Sequence, residues 1–217
     1  MSPPILGPGA LRQLRAASGW SLFTNQLTDN GGVVMQDVSE LSYQPQGRER
    51  FRTADVLCFR GKGLFSWGIR RLTNSEYSHV GLSYLFEGRV YCLEAVGSGV
   101  RLILMSELVR RYKGGIDYFM VDGADEDQRK KAISFAFAQL GKLYDKPGIV
   151  RFLTAIVTKN MEKQRRDNKW FCSELVVAAY NEAEIALVDK QDHPEAYTAP
   201  SDLVNGGRLI PGFSLKE

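Results

Sequence analysis

The sequence predicts an α+β fold, an antiparallel sheet with helices grouped after it. Three observations carry that prediction. Short apolar runs follow one another between Ala54 and Val121, separated by tight-turn signals at Glu87-Gly88 and Gly97-Ser98-Gly99. A helical period runs from Asp125 to Leu140, and a second, stronger one from Phe171 to Ile185.

The elements follow in order. Residues 1–50 are weakly patterned and read as an arm or small subregion, with one short helix around Leu11 to Ala17. Residues 51–217 read as the main domain. Asp55 to Phe59 is a compact apolar strand bounded by Arg60-Gly61-Lys62-Gly63. Leu64 to Leu72 has helical spacing and stops at Thr73-Asn74-Ser75. Strands are expected over Ser78–Phe86, Arg89–Ala95 and Gly99–Leu104, then a short helix over Ser106–Tyr112 and a strand over Ile116–Val121. Asp125-Glu126-Asp127 opens the next helix with acids at its positive end, and Gly141 stops it. Residues 148–169 read as an insert: a helix over Gly148–Val157, then a charged stretch from Met161 to Lys169. Pro200-Ser201-Asp202-Leu203 reads as a short turn or helical cap.

Composition narrows the function classes. The chain has 217 residues, 44% hydrophobic and 24% charged, with a net charge of +3. That is ordinary for a globular protein and argues against a dedicated nucleic-acid binder. Basic clusters at Arg70-Arg71, Arg110-Arg111 with Lys113, Arg129-Lys130-Lys131 and Lys163 to Arg166 read as solvated faces, with contact to an anionic surface as the functional alternative. Three cysteines, none in CxxC spacing, and two histidines argue against a zinc site or a disulfide scaffold, so no metal and no cofactor is expected. Met1 to Gly9 lacks the basic and apolar regions of a secretory signal, and no apolar run reaches the ~18 residues of a membrane span. A cytoplasmic location in the producing cell is expected, with signal-independent export or virion packaging left open.

The chemistry rests on a few side chains. Cys172 sits in the first turn of a strong helix, where the helix dipole lowers a thiol pKa. Taken alone, a lone cysteine is more often a small buried residue. The charged segment before it points to the surface end of that helix. Cys58 and Cys92 lie mid-strand among large apolar neighbours and read as inert core. His79 lies in a strand whose alternation sets Tyr77, His79 and Gly81 on one face. Gly81 leaves space beside the imidazole, as in a cleft wall. The other histidine, His193, precedes a proline in a polar loop. Reflecting β-pairing about the Glu87-Gly88 turn sets Glu94 opposite His79, close enough to hold the ring's second N–H. Tyr144, in Gly141-Lys142-Leu143-Tyr144-Asp145, is a loop aromatic whose phenol is a candidate oxyanion donor. Ser173, at the start of the Cys172 helix, is a further candidate for substrate or oxyanion contact. Asp145 and Glu174 read as structural.

These residues resemble a known family. Asp55-Val56-Leu57, Ser66 to Arg71, Tyr77-Ser78-His79-Val80-Gly81, Leu93-Glu94-Ala95, Gly99-Val100 and Trp170-Phe171-Cys172-Ser173-Glu174-Leu175 are similar to the circularly permuted NlpC-type papain-like proteins, the YiiX group, over about Ala54 to Leu203. The order His79 then Cys172 is that of the permuted group. The resemblance implies a papain-like α+β domain with the nucleophile helix packed on an antiparallel sheet. It also implies Cys172 as nucleophile, His79 as base and Glu94 as orienting group, with Tyr144 as a substrate or oxyanion contact. The implied activity is a cysteine amidase or peptidase, on cell-wall peptides among other amides, through a thioester acyl-enzyme. Two readings stay open beside it: a lipid acyltransferase or lipid ester or amide hydrolase at a membrane surface, and a non-catalytic binding or virion-assembly module. The expected partner is a peptide or lipid amide or ester.

Overall fold

The computed structural model describes residues 23–27, 33–37, 45–147, 150, 154, 169–188 and 198–216. The expected helix at Leu11–Ala17, His193, and the insert apart from Val150, Thr154 and Lys169 lie outside the described residues. The chain divides into two compact units, residues 1–40 and 41–217. In the first, β1 (Phe23–Leu27) and β2 (Val33–Asp37) pair antiparallel, with Asn25 opposite Met35.

The second unit begins with a 3-10 turn at Pro45–Arg50 and continues as a six-stranded antiparallel sheet. Its elements are β3 (Val56–Gly61), α1 (Leu64–Leu72), β4 (His79–Phe86), β5 (Arg89–Val96), β6 (Gly99–Leu104), α2 (Met105–Arg111) and β7 (Gly114–Val121). Then come α3 (Glu126–Phe137), β8 (Leu143–Tyr144), β9 (Lys169–Trp170), α4 (Cys172–Glu182), α5 (Pro200–Asn205) and β10 (Leu209–Lys216). The strand order is β10-β7-β3-β4-β5-β6, and β8 and β9 form a separate parallel pair. The α+β architecture the sequence predicts is therefore present, with Leu64–Leu72 and Gly99–Leu104 bounded as expected.

The sheet buries both faces, so alternation sorts its apolar side chains into two layers. One face carries Val56, Cys58, Val80, Leu82, Leu93 and Ala95 against α3 and α4, which contribute Ala132, Ile133, Leu175, Val176 and Ala179. The other carries Leu57, Phe59, Val90, Cys92 and Ile116 against Met105 and Leu108 of α2. Each fully buried Leu, Val or Phe contributes about 1.5–3 kcal/mol. Tyr77 departs from the predicted alternation. It precedes the strand, packs with the α4-side layer and meets the Phe119 ring at 5.8 Å, whereas His79 lies beside Phe59 on the other face.

The strand β10 was not expected, because Pro211 and Gly212 interrupt its pattern. It lies at the sheet edge, where a missing N–H costs no ladder bond, and its register against β7 shifts twice. α3 is started by a reciprocal capping box. Asp125 accepts from the Gln128 N–H at 2.8 Å, and Gln128 accepts from the Asp125 N–H at 3.1 Å. It ends at Phe137, and a turn leads on to Gly141.

One buried ion cluster ties these layers together. Asp55 is fully buried and accepts from the Val121 N–H at 2.9 Å, Arg129 Nη1 at 2.5 Å, Arg52 Nε at 3.1 Å and the Tyr118 hydroxyl. Arg129 also donates to the Val121 and Thr53 carbonyls at 2.8 and 3.2 Å. This corrects the reading of Arg129-Lys130-Lys131 as a solvated face. Lys130 is solvated and pairs with Glu126, but Arg129 is buried, pinning α3 to β3 and β7. Tyr180 does the same for α4, donating to the Ala54 carbonyl at 2.7 Å. Arg129→Met leaves the buried Asp55 carboxylate with the half-exposed Arg52 as its remaining cation. It is expected to cost about 3–5 kcal/mol of unfolding free energy in urea titrations, against under about 0.5 kcal/mol for Lys130→Met.

Candidate active site

The site is assembled at one end of the sheet, where β4 and β5 part. Their ladder runs from Phe86–Arg89 to Leu82–Leu93 and stops. The first residues of β4, His79 to Gly81, pair with β3 alone, His79 opposite Phe59 and Val80 opposite Cys58. That leaves one side of β4 open where the N-terminus of α4 arrives.

The register differs from the reflection expected from sequence. The hairpin centres between Glu87 and Gly88, so continuing the ladder sets Glu94 across from Gly81, two residues along from the expected partner. A shift of two preserves the face. Glu94 therefore reaches His79 on the diagonal, and its Oε2 lies 2.7 Å from His79 Nε2. The diagonal is open because residue 81 is glycine. A Cβ there would meet Cys92 Sγ at 2.8 Å, the Leu93 carbonyl at 3.0 Å and Glu94 Cβ at 3.2 Å. The expected space beside the imidazole is thus filled, by the carboxylate that holds it.

Glu94 is only 2% exposed and is held by cations from two neighbouring strands. Arg101 sits opposite it on β6 and donates from Nε and Nη2 to Oε1 at 2.9 and 2.7 Å. Arg101 was not picked out in the sequence. The signal was present in the Gly97-Ser98 turn, about which Glu94 and Arg101 are mirror partners. Two aromatic residues were also missed. The Phe59 ring lies tilted at 4.9 Å from the His79 ring, and Tyr112 packs edge-on to Phe59 at 5.2 Å, so the imidazole is packed against an aromatic ring as well as hydrogen-bonded. Burial pushes the Tyr112 phenol up to about 12; the Ser78 hydrogen bond opposes this and the Glu94 charge adds to it.

Cys172 is the first residue of α4 and is 4% exposed, so the nucleophile candidate lies beneath the surface and not at an exposed helix end. The His79 side chain and the backbone N–H groups of Val80 and Ser173 face its sulfur closely enough to favour the thiolate. With Nε2 held by Glu94, the imidazole offers Nδ1 to the sulfur. Burial by itself raises a thiol pKa; the imidazolium charge, its hydrogen bond and the two amides outweigh it and hold Cys172 below the ordinary value. Burial likewise lowers the imidazole, but the Cys172 thiolate and the Glu94 carboxylate overcome it and raise His79 to about 10. Glu94 is held down by its two cations against the opposing effect of burial. Together these groups favour a thiolate–imidazolium pair backed by a carboxylate. Cys58 and Cys92 are fully buried and pushed well up by desolvation, as expected of core thiols.

Tyr144 is brought to the same place. β8 and β9 pair Tyr144 with Trp170, two residues before the cysteine, and the Trp170 indole is fixed by Gln139 at 3.2 Å. Burial, then the negative charge at Cys172, pushes the phenol far above its ordinary range, so it remains a neutral donor. Ser173 is placed differently from its predicted role. Its hydroxyl is fully buried and donates to the Thr198 carbonyl at 2.5 Å, leaving only its backbone N–H facing the sulfur. The Glu174 carboxylate accepts from the Phe171 N–H at 3.5 Å, and Asp145 is buried. Among the described residues no three His, Cys, Asp or Glu side chains converge to hold a metal ion. No helix among them is long and apolar enough to cross a membrane.

The arrangement defines a papain-like thiol hydrolase in which the histidine strand precedes the cysteine helix, the reverse of the unpermuted order. Residues 68–201 match the family described as permuted papain-like amidase enzyme, YaeF/YiiX, C92 family, and the chain belongs to that family. Among solved structures, the chain is similar to the metalloprotein yiiX from Escherichia coli O157:H7. The TM-score is 0.59 at 21% identity, covering 76% of this chain and 97% of that one, a likeness of fold. Comparison with curated proteins gives no match.

Two outcomes test the geometry. Gly81→Ala forces β4 from β5 and is expected to destabilise the fold by about 1–3 kcal/mol, with a fall in kcat larger than the loss of stability explains, measured by unfolding and turnover on the same preparation. The pH profile of kcat/KM is expected to be flat from below the ordinary thiol range and to fall only as His79 loses its proton near pH 10. Glu94 raises the His79 pKa, so Glu94→Gln is expected to move that alkaline limb to lower pH.

Proposed function

We propose that the protein is a cysteine-dependent amide hydrolase working through Cys172, His79 and Glu94, with peptide amides, cell-wall peptides among them, as substrates. The observation that supports it best is the imidazole flanked on two sides, by the Cys172 sulfur on one and by Glu94 at 2.7 Å on the other. The Cys172 thiolate attacks the carbonyl carbon, forming a C–S bond. The His79 imidazolium passes its proton to the departing nitrogen as the C–N bond breaks. Neutral His79 then takes a proton from water, whose oxygen attacks the thioester. The acid leaves, and the thiolate–imidazolium pair is restored. Glu94 keeps the ring in the orientation and tautomer that both half-reactions need.

The oxyanion that forms in each half-reaction is assigned to the first-turn amides of α4 and the neutral Tyr144 phenol. The N-cap residue, Phe171, has no side-chain acceptor to occupy those amides. A binding module with a vestigial cleft would have no use for a depressed thiol beside a raised imidazole, which weighs for catalysis.

Cys172→Ala and His79→Ala are each expected to lower kcat/KM on a peptide amide by about 10³-fold or more, while Cys58→Ala and Cys92→Ala keep activity. Mass spectrometry after incubation with cell-wall peptides should find the acyl adduct on Cys172. An adduct on Cys58, or full activity of Cys172→Ala, would defeat the assignment.

A further inference from the structure

The helix α1 presents its apolar residues to solvent. Leu64 is 90% exposed, Trp67 59% and Leu72 41%, while Ile69 alone of its described apolar residues is buried. The spacing of Leu64, Trp67 and Arg71 places them along one stripe of the helix. An apolar stripe on an ordinary globular helix faces the core; this one does not.

The segment that carries it is of one charge. From Val56 to Ser75 the chain has four basic residues and no acidic one. Arg60 is engaged by Asp117 at 3.0 Å. Lys62, Arg70 and Arg71 make no ion pair with a carboxylate among the described residues. Lys113 adds to them, one step beyond the Gly61–Gly114 pair on the adjoining strand. The helix also borders the site. Ser66 in its first turn and the Tyr112 hydroxyl both crowd Gly61 at the end of β3, and Tyr112 packs on Phe59, which packs on His79. Leu143, next to Tyr144 in the chain, is 64% exposed as well.

We propose that α1 is a membrane-docking element, which seats this domain on an anionic lipid surface with Leu64 and Trp67 entering the headgroup–acyl boundary. The composition fits lipid better than protein. Exposed Trp and Leu rimmed by Lys and Arg is the pattern of interfacial helices, whereas Lys is depleted from protein–protein interfaces. The consequence is delivery: a domain so seated brings the cleft to substrates that reside in or at the lipid, amides or esters with acyl chains included. The docking stands apart from the hydrolase assignment, since it involves neither Cys172 nor His79.

The test is co-sedimentation of the full chain carrying Cys172→Ala with vesicles of phosphatidylcholine containing phosphatidylglycerol, and with pure phosphatidylcholine. Binding is expected to the anionic vesicles, weakened by salt, and reduced about tenfold or more in Leu64→Ser/Trp67→Ser. Lys62→Glu/Arg71→Glu should weaken it as well, and both pairs of positions are exposed enough to leave the melting temperature unchanged. Brominated acyl chains should quench the emission of the parent and not the lipid-dependent part of Trp67→Phe. Three results would overturn the proposal: no binding to anionic vesicles, undiminished binding by the Leu64/Trp67 variant, or a dimer in sedimentation velocity that the same variant dissolves, which would make the face a contact between copies of the chain.

Discussion

A carboxylate almost wholly removed from water organises the candidate site. Glu94 sits at 2% exposure between His79 and Arg101, and a buried charge persists only when its partners are close and well aimed. Both partners come from adjoining strands, so the registers of β4, β5 and β6 and the state of the imidazole are one problem. The sheet must hold its pairing to keep Glu94 satisfied, and Glu94 must be satisfied for His79 to carry its proton beside Cys172.

The site also depends on where the sheet stops. Alternation places His79 and Glu94 on the face away from α4, and the helix that bears Cys172 packs on the other. Those groups would be separated by the sheet if the ladder between β4 and β5 were complete. It ends at Leu82–Leu93, and the Val80 N–H left without a β5 partner turns to the Cys172 sulfur. Gly81 at the edge of this opening keeps the two backbones near enough for the Glu94 diagonal. Aromatic packing by Phe59 and Tyr112 then limits how the ring can rotate.

Remote anchors hold α4 at the angle this requires. Tyr180 is tied to Ala54 and Ser173 to Thr198, and the Asp55–Arg129 cluster locks α3 beside it. The order of the chain matters little to this arrangement. A permuted sequence that keeps the strand opening, the helix start and the carboxylate can bring the same groups together.

The sequence by itself determined what local physics can encode: the strands between tight turns, the opening of α3 at its run of acids, the helix start at Cys172, and the inert setting of Cys58 and Cys92. It also exposed His79, Glu94 and Tyr144 as candidates, because a polar side chain on an apolar strand or beside a glycine stop stands out from its neighbours. Tertiary structure alone decided the two-residue offset between His79 and Glu94, since a hairpin's centre is fixed by turn dihedrals that residue types only bias. It decided that Arg129 is the partner of a buried carboxylate, whereas Lys130 is solvated, since identical charges on a sequence carry no record of which side of a helix they will reach. It decided the strand at Leu209–Lys216 for the same reason: only an edge position excuses its proline, and position in a sheet is a property of the whole chain.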